Sequence, residues 1–124
     1  MKVIQYAETD IELTELYQAG FDVEPTDPEA PFSALQLFAT SLGLCTFSVL
    51  TAYAAHLQVD PAGIRIRLQW QYSEHPMRVS DIDMSIVWPD LPADRLEAAQ
   101  RAAEHCALHH TLAQPPTVKT RVDR

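Results

Sequence analysis

Residues 30–59 read APFSALQLFATSLGLCTFSVLTAYAAHLQV, a run without one Asp, Glu, Lys or Arg. The stretch is long enough for a helix to cross a bilayer. Its content of Ser, Thr and Gln, the lack of flanking Lys or Arg to set an orientation, and its end in His56 and Gln58 argue instead for a soluble fold. Pro31 suits a first helical turn, Ser33 is available as a cap, and Asp60-Pro61 marks the stop. A helix uncharged on every side must be enclosed, either by a sheet or by a second subunit.

The flanking segments supply the sheet. Ile64, Ile66, Leu68, Trp70 and Tyr72 alternate with Arg65, Arg67, Gln69 and Gln71, the period of a strand with one buried face. After the turn Ser73-Glu74-His75-Pro76-Met77 a second alternating run places Ile82, Met84, Ile86 and Trp88 inward and Asp81, Asp83 and Ser85 outward. From Ala93 to Leu112 the spacing of Leu96, Ala99, Ala103, Cys106 and His110 predicts one amphipathic helix. Thr117 to Val122, after Pro115-Pro116, reads as a short closing strand. Residues 1–7 and 11–24 read as N-terminal strands, the second folded at Ala19-Gly20. The expected fold is α+β: an antiparallel sheet with a long buried central helix carrying Cys45 and a second helix carrying Cys106. The 124 residues fit a single domain, 1–124.

Charge and composition exclude several classes. The formal net charge is −8, and eight acids precede Ala30 against Lys2 alone. No basic stripe exists for a phosphate backbone, so nucleic acid is not an expected partner. The acidic segment before Ala30 reads as a solvated face rather than a steering field. Two cysteines are too few for a disulfide-stapled miniprotein. The opening MKVIQYAETD has no apolar targeting core, which makes the cytoplasm the expected compartment.

The two cysteines carry the chemistry worth weighing. Buried thiols usually act as small hydrophobes. Alternatively, one sulfur attacks an oxidant and the other resolves it, which requires a disulfide between elements with Cα atoms within ~7 Å. His105, Cys106, His109 and His110 share helical faces in pairs, and Cys45 could complete a zinc site, although structural zinc sites bring tighter Cys spacing. His109 or His110 could also polarise a thiol or meet a ligand. No cofactor and no metal is expected.

The order of these pieces resembles the OsmC/Ohr superfamily. The matching segments are the uncharged helix with its central Cys (SALQLFATSLGLCTFSVLTAYA), the hairpin (IRIRLQWQYSE and VSDIDMSIVW), the Cys-bearing segment LPADRLEAAQRAAEHCALHHTL, and TVKTRV. The resemblance implies a small homodimer that reduces organic hydroperoxides, with Cys45 as peroxidatic and Cys106 as resolving cysteine and a dithiol as reductant. It also implies a Glu about ten positions before the first Cys and an N-terminal Arg. Here those positions hold Leu35 or its neighbour Gln36, and no Arg precedes Arg65. Ala107 follows Cys106 where the family commonly has Pro, and TDPEAPF replaces a Gly-rich approach to the helix. A thiol among apolar groups ionises poorly unless a cation or donor faces it, and Arg78 and Arg101 are the remaining candidates. A non-catalytic dimer that binds a small hydrophobic ligand or senses redox state is therefore the alternative. A hotdog-like thioester binder shares the wrapped helix but does not account for the second cysteine-bearing segment.

Overall fold

A computed structural model describes residues 1–29 and 32–124. The elements are β1 (Lys2–Ala7), β2 (Asp10–Thr14), β3 (Asp22–Glu24), α1 (Ala34–Leu57), β4 (Arg65–Ser73), β5 (Arg78–Val87), α2 (Leu96–Ala103) and α3 (Ala107–Ala113), with a 3-10 turn at Ala93–Arg95 before α2. The strands form one sheet in the order β3-β1-β2-β4-β5.

The β4–β5 hairpin follows the sequence reading, with Ile66 opposite Ile86 and Leu68 opposite Met84. Ile66, Leu68 and Trp70 are buried while Arg65, Gln69 and Gln71 face solvent. The sheet is not wholly antiparallel: β3 runs parallel to β1, with Val3 opposite Val23. The cause is the turn after β2. It reaches positive φ at Glu15 and Gly20, and the N-terminal ammonium of Met1 donates to the carbonyls of Gln18 and Gly20 at 2.8 and 3.1 Å. That clamp carries the chain across to the free edge of β1.

On the outer face, Arg67 forms a forked pair with Asp10 at 2.9 and 2.7 Å, and its guanidinium lies 4.5 Å from the Tyr6 ring centroid. Hydrogen bonding from Arg67 holds the Asp10 carboxyl below its ordinary value of 3.8. Stability linked to a depressed carboxyl is present above the unfolded value and is lost as pH falls through the folded one. The urea midpoint of the wild type should therefore exceed that of Asp10→Asn at neutral pH, and the two should converge as pH falls below the ordinary carboxylate range. Equal midpoints at neutral pH would show that the pair contributes nothing.

Helix α1 lies across the inner face. Pro31, read as a first-turn residue, lies outside the described residues. Ser33 is the N-cap and completes a reciprocal box with Gln36: its side chain accepts from the Gln36 N–H at 3.2 Å, and Gln36 Oε1 accepts from the Ser33 N–H at 3.0 Å. At the far end Gln58 adopts the left-handed conformation and donates to Ala54 and Ala55. Ala39, Gly43, Phe47, Leu50 and Ala54 form the buried stripe over Val3, Ile11, Leu13, Ile66 and Leu68. Gly43 sits at the closest approach. The helix is buried on one side only: Leu37 and Leu44 remain 47% and 40% exposed.

Two expectations need correction. The helix read over 93–112 is broken, because Cys106 takes an extended conformation (φ −87°, ψ 151°) between α2 and α3. Cys106 therefore lies at a helix junction rather than within a helix. The break lets a fully buried sulfur enter the core while both helices pack on α1. Residues 117–122 form no strand, and Val118 and Val122 are 80% and 92% exposed.

Candidate functional site

Cys106 is 0% exposed, and its sulfur has two polar neighbours. As the N-cap of α3 it accepts the His109 backbone N–H at 3.2 Å. On the other side Thr46 Oγ1 lies 3.9 Å away. Thr46 is itself fully buried and donates its hydroxyl proton to the Leu42 carbonyl at 2.9 Å. A hydroxyl has one proton to give, so its oxygen is left to face the Cys106 thiol as an acceptor.

Cys45 is the next residue along α1. It is half-buried, packed against the edge of the core on the shoulder it shares with Val49. The fold thus brings Cys106, 60 residues further along the chain than Thr46, to the same level of α1 as Cys45. Both thiols are free.

Neither the residues at the position of the implied acid nor the arginines face Cys45. Gln36 is nine residues before Cys45, about two and a half turns, so the two face opposite sides of α1. Gln36 is buried toward the sheet, where it accepts from Gln5 Nε2 at 2.8 Å and donates to the Glu8 carbonyl at 3.1 Å. It anchors α1 to β1 and cannot serve Cys45. Leu35 is 37% exposed. Arg67 is engaged with Asp10 on the opposite face of the sheet, and Arg78 and Arg101 are exposed. His109 meets Cys106 through its backbone; its side chain lines a separate groove. The His105 and His110 rings lie 5.8 Å apart. Among the described residues no group of three or more His, Cys, Asp or Glu is placed to hold a metal ion.

That groove, of about 860 Å³, separates the inner face of β5 from α2 and α3. Ile82, Met84 and Ile86 form one wall, and Leu96, Ala99 and Leu112 part of the other, with Gln100, Glu104 and His109 as polar elements. Neither sulfur lines it. Thr46 and the Gln5–Gln36 pair were not singled out from sequence. Thr46 does fall on the stripe of Leu42 and Leu50, a periodic signal that it faces inward.

A long helix with a central cysteine crosses the sheet and meets a second cysteine at a helix junction, all within a small α+β fold. Residues 27–121 match the family model described as OsmC-like protein, and the chain belongs to that family. No curated protein matches it. Two solved structures share the fold. One, from Psychrobacter arcticus 273-4, is described as an osmotic stress induced and detoxification response protein; it is 20% identical, with a TM-score of 0.62, covering 88% of this chain and 84% of that one. The other is an OsmC-like hydroperoxide resistance protein from Jannaschia sp. CCS1, 24% identical, with a TM-score of 0.58, covering 82% and 72%.

Proposed function

We propose that this chain is a cytoplasmic, homodimeric OsmC-like protein of oxidative stress defence that reduces organic hydroperoxides through Cys45 and Cys106. The observation that carries this reading is the contact of Cys106 Sγ with Thr46, the neighbour of Cys45. Family membership and the hydroperoxide-resistance neighbour support it. The Cys45 thiolate attacks the peroxide oxygen and breaks the O–O bond. The sulfur becomes a sulfenic acid, and the alkoxide leaves and is protonated to the alcohol. The Cys106 thiol then displaces water from that sulfenic acid to form a disulfide, and an external dithiol returns both thiols by exchange. The uncharged outer side of α1, with exposed Leu37 and Leu44, is the surface on which two copies would meet.

One equivalent of cumene hydroperoxide should lower the chain mass by two daltons, with a peptide pair linking Cys45 to Cys106. Retention of both thiols under that treatment, with reactivity only after denaturation, would reduce both cysteines to packing residues.

A second reading rests on the groove. Among the described residues no cation or carboxylate engages either sulfur, whereas the groove is apolar and accessible beside β5. These features support a non-catalytic dimer that binds a small hydrophobic ligand. Cumene hydroperoxide left unconsumed, together with saturable binding of a fluorescent fatty acid that Met84→Arg abolishes, would favour that reading.

A further inference from the structure

Helix α1 carries a series of hydroxyl side chains that bond back to their own helix. Thr40, Ser41, Ser48 and Thr51 donate to carbonyls three or four residues earlier, the usual way for such residues to sit inside a helix. Thr46 does the same to Leu42 at 2.9 Å. Among the described residues it is the one α1 hydroxyl that also faces a sulfur, Cys106 Sγ at 3.9 Å. Thr46 and Cys106 are both 0% exposed, so protein groups alone surround the sulfur.

The resolving step asks that buried sulfur to become charged. A thiol attacks as its thiolate. The S–S bond to Cys45 forms as the S–O bond of the sulfenic acid breaks, and the departing hydroxide carries off the Cys106 proton as water. No further oxidant or reductant enters. A buried charge without hydrogen-bond partners is costly. The sulfur has one fixed donor, the His109 backbone N–H at 3.2 Å. Thr46 is the group that can become the second, because a hydroxyl rotates to suit its neighbours and this oxygen lies between the Leu42 carbonyl and the sulfur. Turning away strands no acceptor: the Leu42 carbonyl keeps the backbone N–H four residues on, its partner in the helix ladder.

We propose that Thr46 is a positioning residue for the resolving step: its oxygen accepts the Cys106 S–H at rest, and its hydroxyl turns from Leu42 to donate to the sulfur as the thiolate forms. This rests on the proposed function, in which Cys106 resolves the Cys45 sulfenic acid. The thiolate then has two donors, the Thr46 hydroxyl and the His109 N–H, and hydrogen bonds to an ionised acceptor are roughly twice as strong as neutral ones. Thr46 also fixes the place of the attack, since the side chain that holds the Cys106 sulfur belongs to the residue next to Cys45.

Three substitutions separate the hydroxyl from the methyl beside it. Thr46→Val keeps the volume without the hydroxyl, Thr46→Ser keeps the hydroxyl without the methyl, and Thr46→Ala removes both. The reduced full chain receives one equivalent of cumene hydroperoxide, and mass spectrometry follows dimedone-trapped Cys45 sulfenic acid against the Cys45–Cys106 disulfide over time. Disulfide closure should slow by about 10- to 100-fold in the valine and alanine variants, the rate equivalent of losing one hydrogen bond to a charged group. The serine variant should close at close to the wild-type rate. Packing alone forecasts the reverse order for serine and valine, because serine leaves a cavity that valine fills. If the valine variant does not fold, the serine and alanine pair, which differ by the hydroxyl alone, still decides. Valine and alanine variants closing as fast as serine, or a serine variant as slow as alanine, would overturn the role of Thr46 and leave the proposed peroxide chemistry standing. A wild-type chain that keeps both thiols removes both.

Discussion

Replacing Gly43 by valine should lower stability by about 3 kcal/mol, the upper end of the cost of forcing extra methyl groups into a packed core. A Cβ at this position would lie 2.5 Å from Leu13 Cδ1 and 3.1 Å from Leu68 Cδ1. Both leucines are 0% exposed, so neither can swing into solvent. They come from β2 and β4, paired neighbours at the middle of the sheet, and Gly43 marks where α1 descends closest to it. Valine's branch adds two methyl groups beyond the clashing Cβ, so α1 must lift or two core leucines must leave their rotamers. For a domain of this size the melting temperature should fall by roughly 10 °C. Gly43→Ala separates the effects. Alanine gains about 1 kcal/mol of helix propensity over glycine, which partly offsets the displacement of Leu13 and Leu68, so its loss should be smaller than that of valine. A valine variant melting with the wild type would mean that α1 does not ride on the sheet as described.

That crossing was only partly legible in the sequence. The uncharged run located α1 within a few residues, because absence of charge is a signal that tertiary context does not erase. The helix nonetheless starts at Ala34, where Ser33 and Gln36 cap each other, and the cap depends on Gln36 also reaching β1. The hairpin was legible because alternation in β4 and β5 is a strictly local pattern. The parallel pairing of β3 was not, since it depends on where the turn after β2 delivers the chain. The helix break at Cys106 is hidden in the sequence for a different reason. Positions 96, 99, 103, 106 and 110 keep a helical period, and an N-cap cysteine leaves no mark on periodicity. The tail shows the reverse failure: TVKTRV has strand character, but strand character needs a partner edge, and one copy of the chain does not bring one to it.

The candidate site was legible as a pair of residue types but not as an arrangement. Two cysteines could be named, yet the contact of Cys106 with Thr46 comes from α3 folding back on α1. Where the resemblance implies an acid, the sequence holds Leu35 beside the uncharged Gln36 and supplies none. The structure adds what Gln36 does instead: it is buried toward β1, on the side of α1 away from Cys45. The sulfur that can meet a reagent first is therefore the half-buried Cys45, and the sulfur held by protein groups is Cys106.

From that asymmetry the two serine variants should behave differently under hydroperoxide. Cys45→Ser should abolish peroxide consumption, because the remaining Cys106 sulfur has no exposed surface and is enclosed by Thr46 and the α3 N–H. Cys106→Ser should keep the first turnover, leaving a sulfenic acid on Cys45 that dimedone traps, but should stop recycling by a dithiol. A serine hydroxyl can also cap α3 in place of the thiol, so the fold should survive that change. The first turnover itself should be slow. A thiolate needs a facing cation or donor to form readily, and Arg67 is tied to Asp10 on the far side of the sheet. Stopped-flow measurement of thiol loss with cumene hydroperoxide reads all three outcomes. If Cys45→Ser consumes peroxide as the wild type does, Cys45 is not the attacking sulfur and the redox reading fails. If the wild type reacts rapidly, a cation from a second subunit must reach Cys45, and charge removal at Arg78 and at Arg101 becomes the measurement that decides which one.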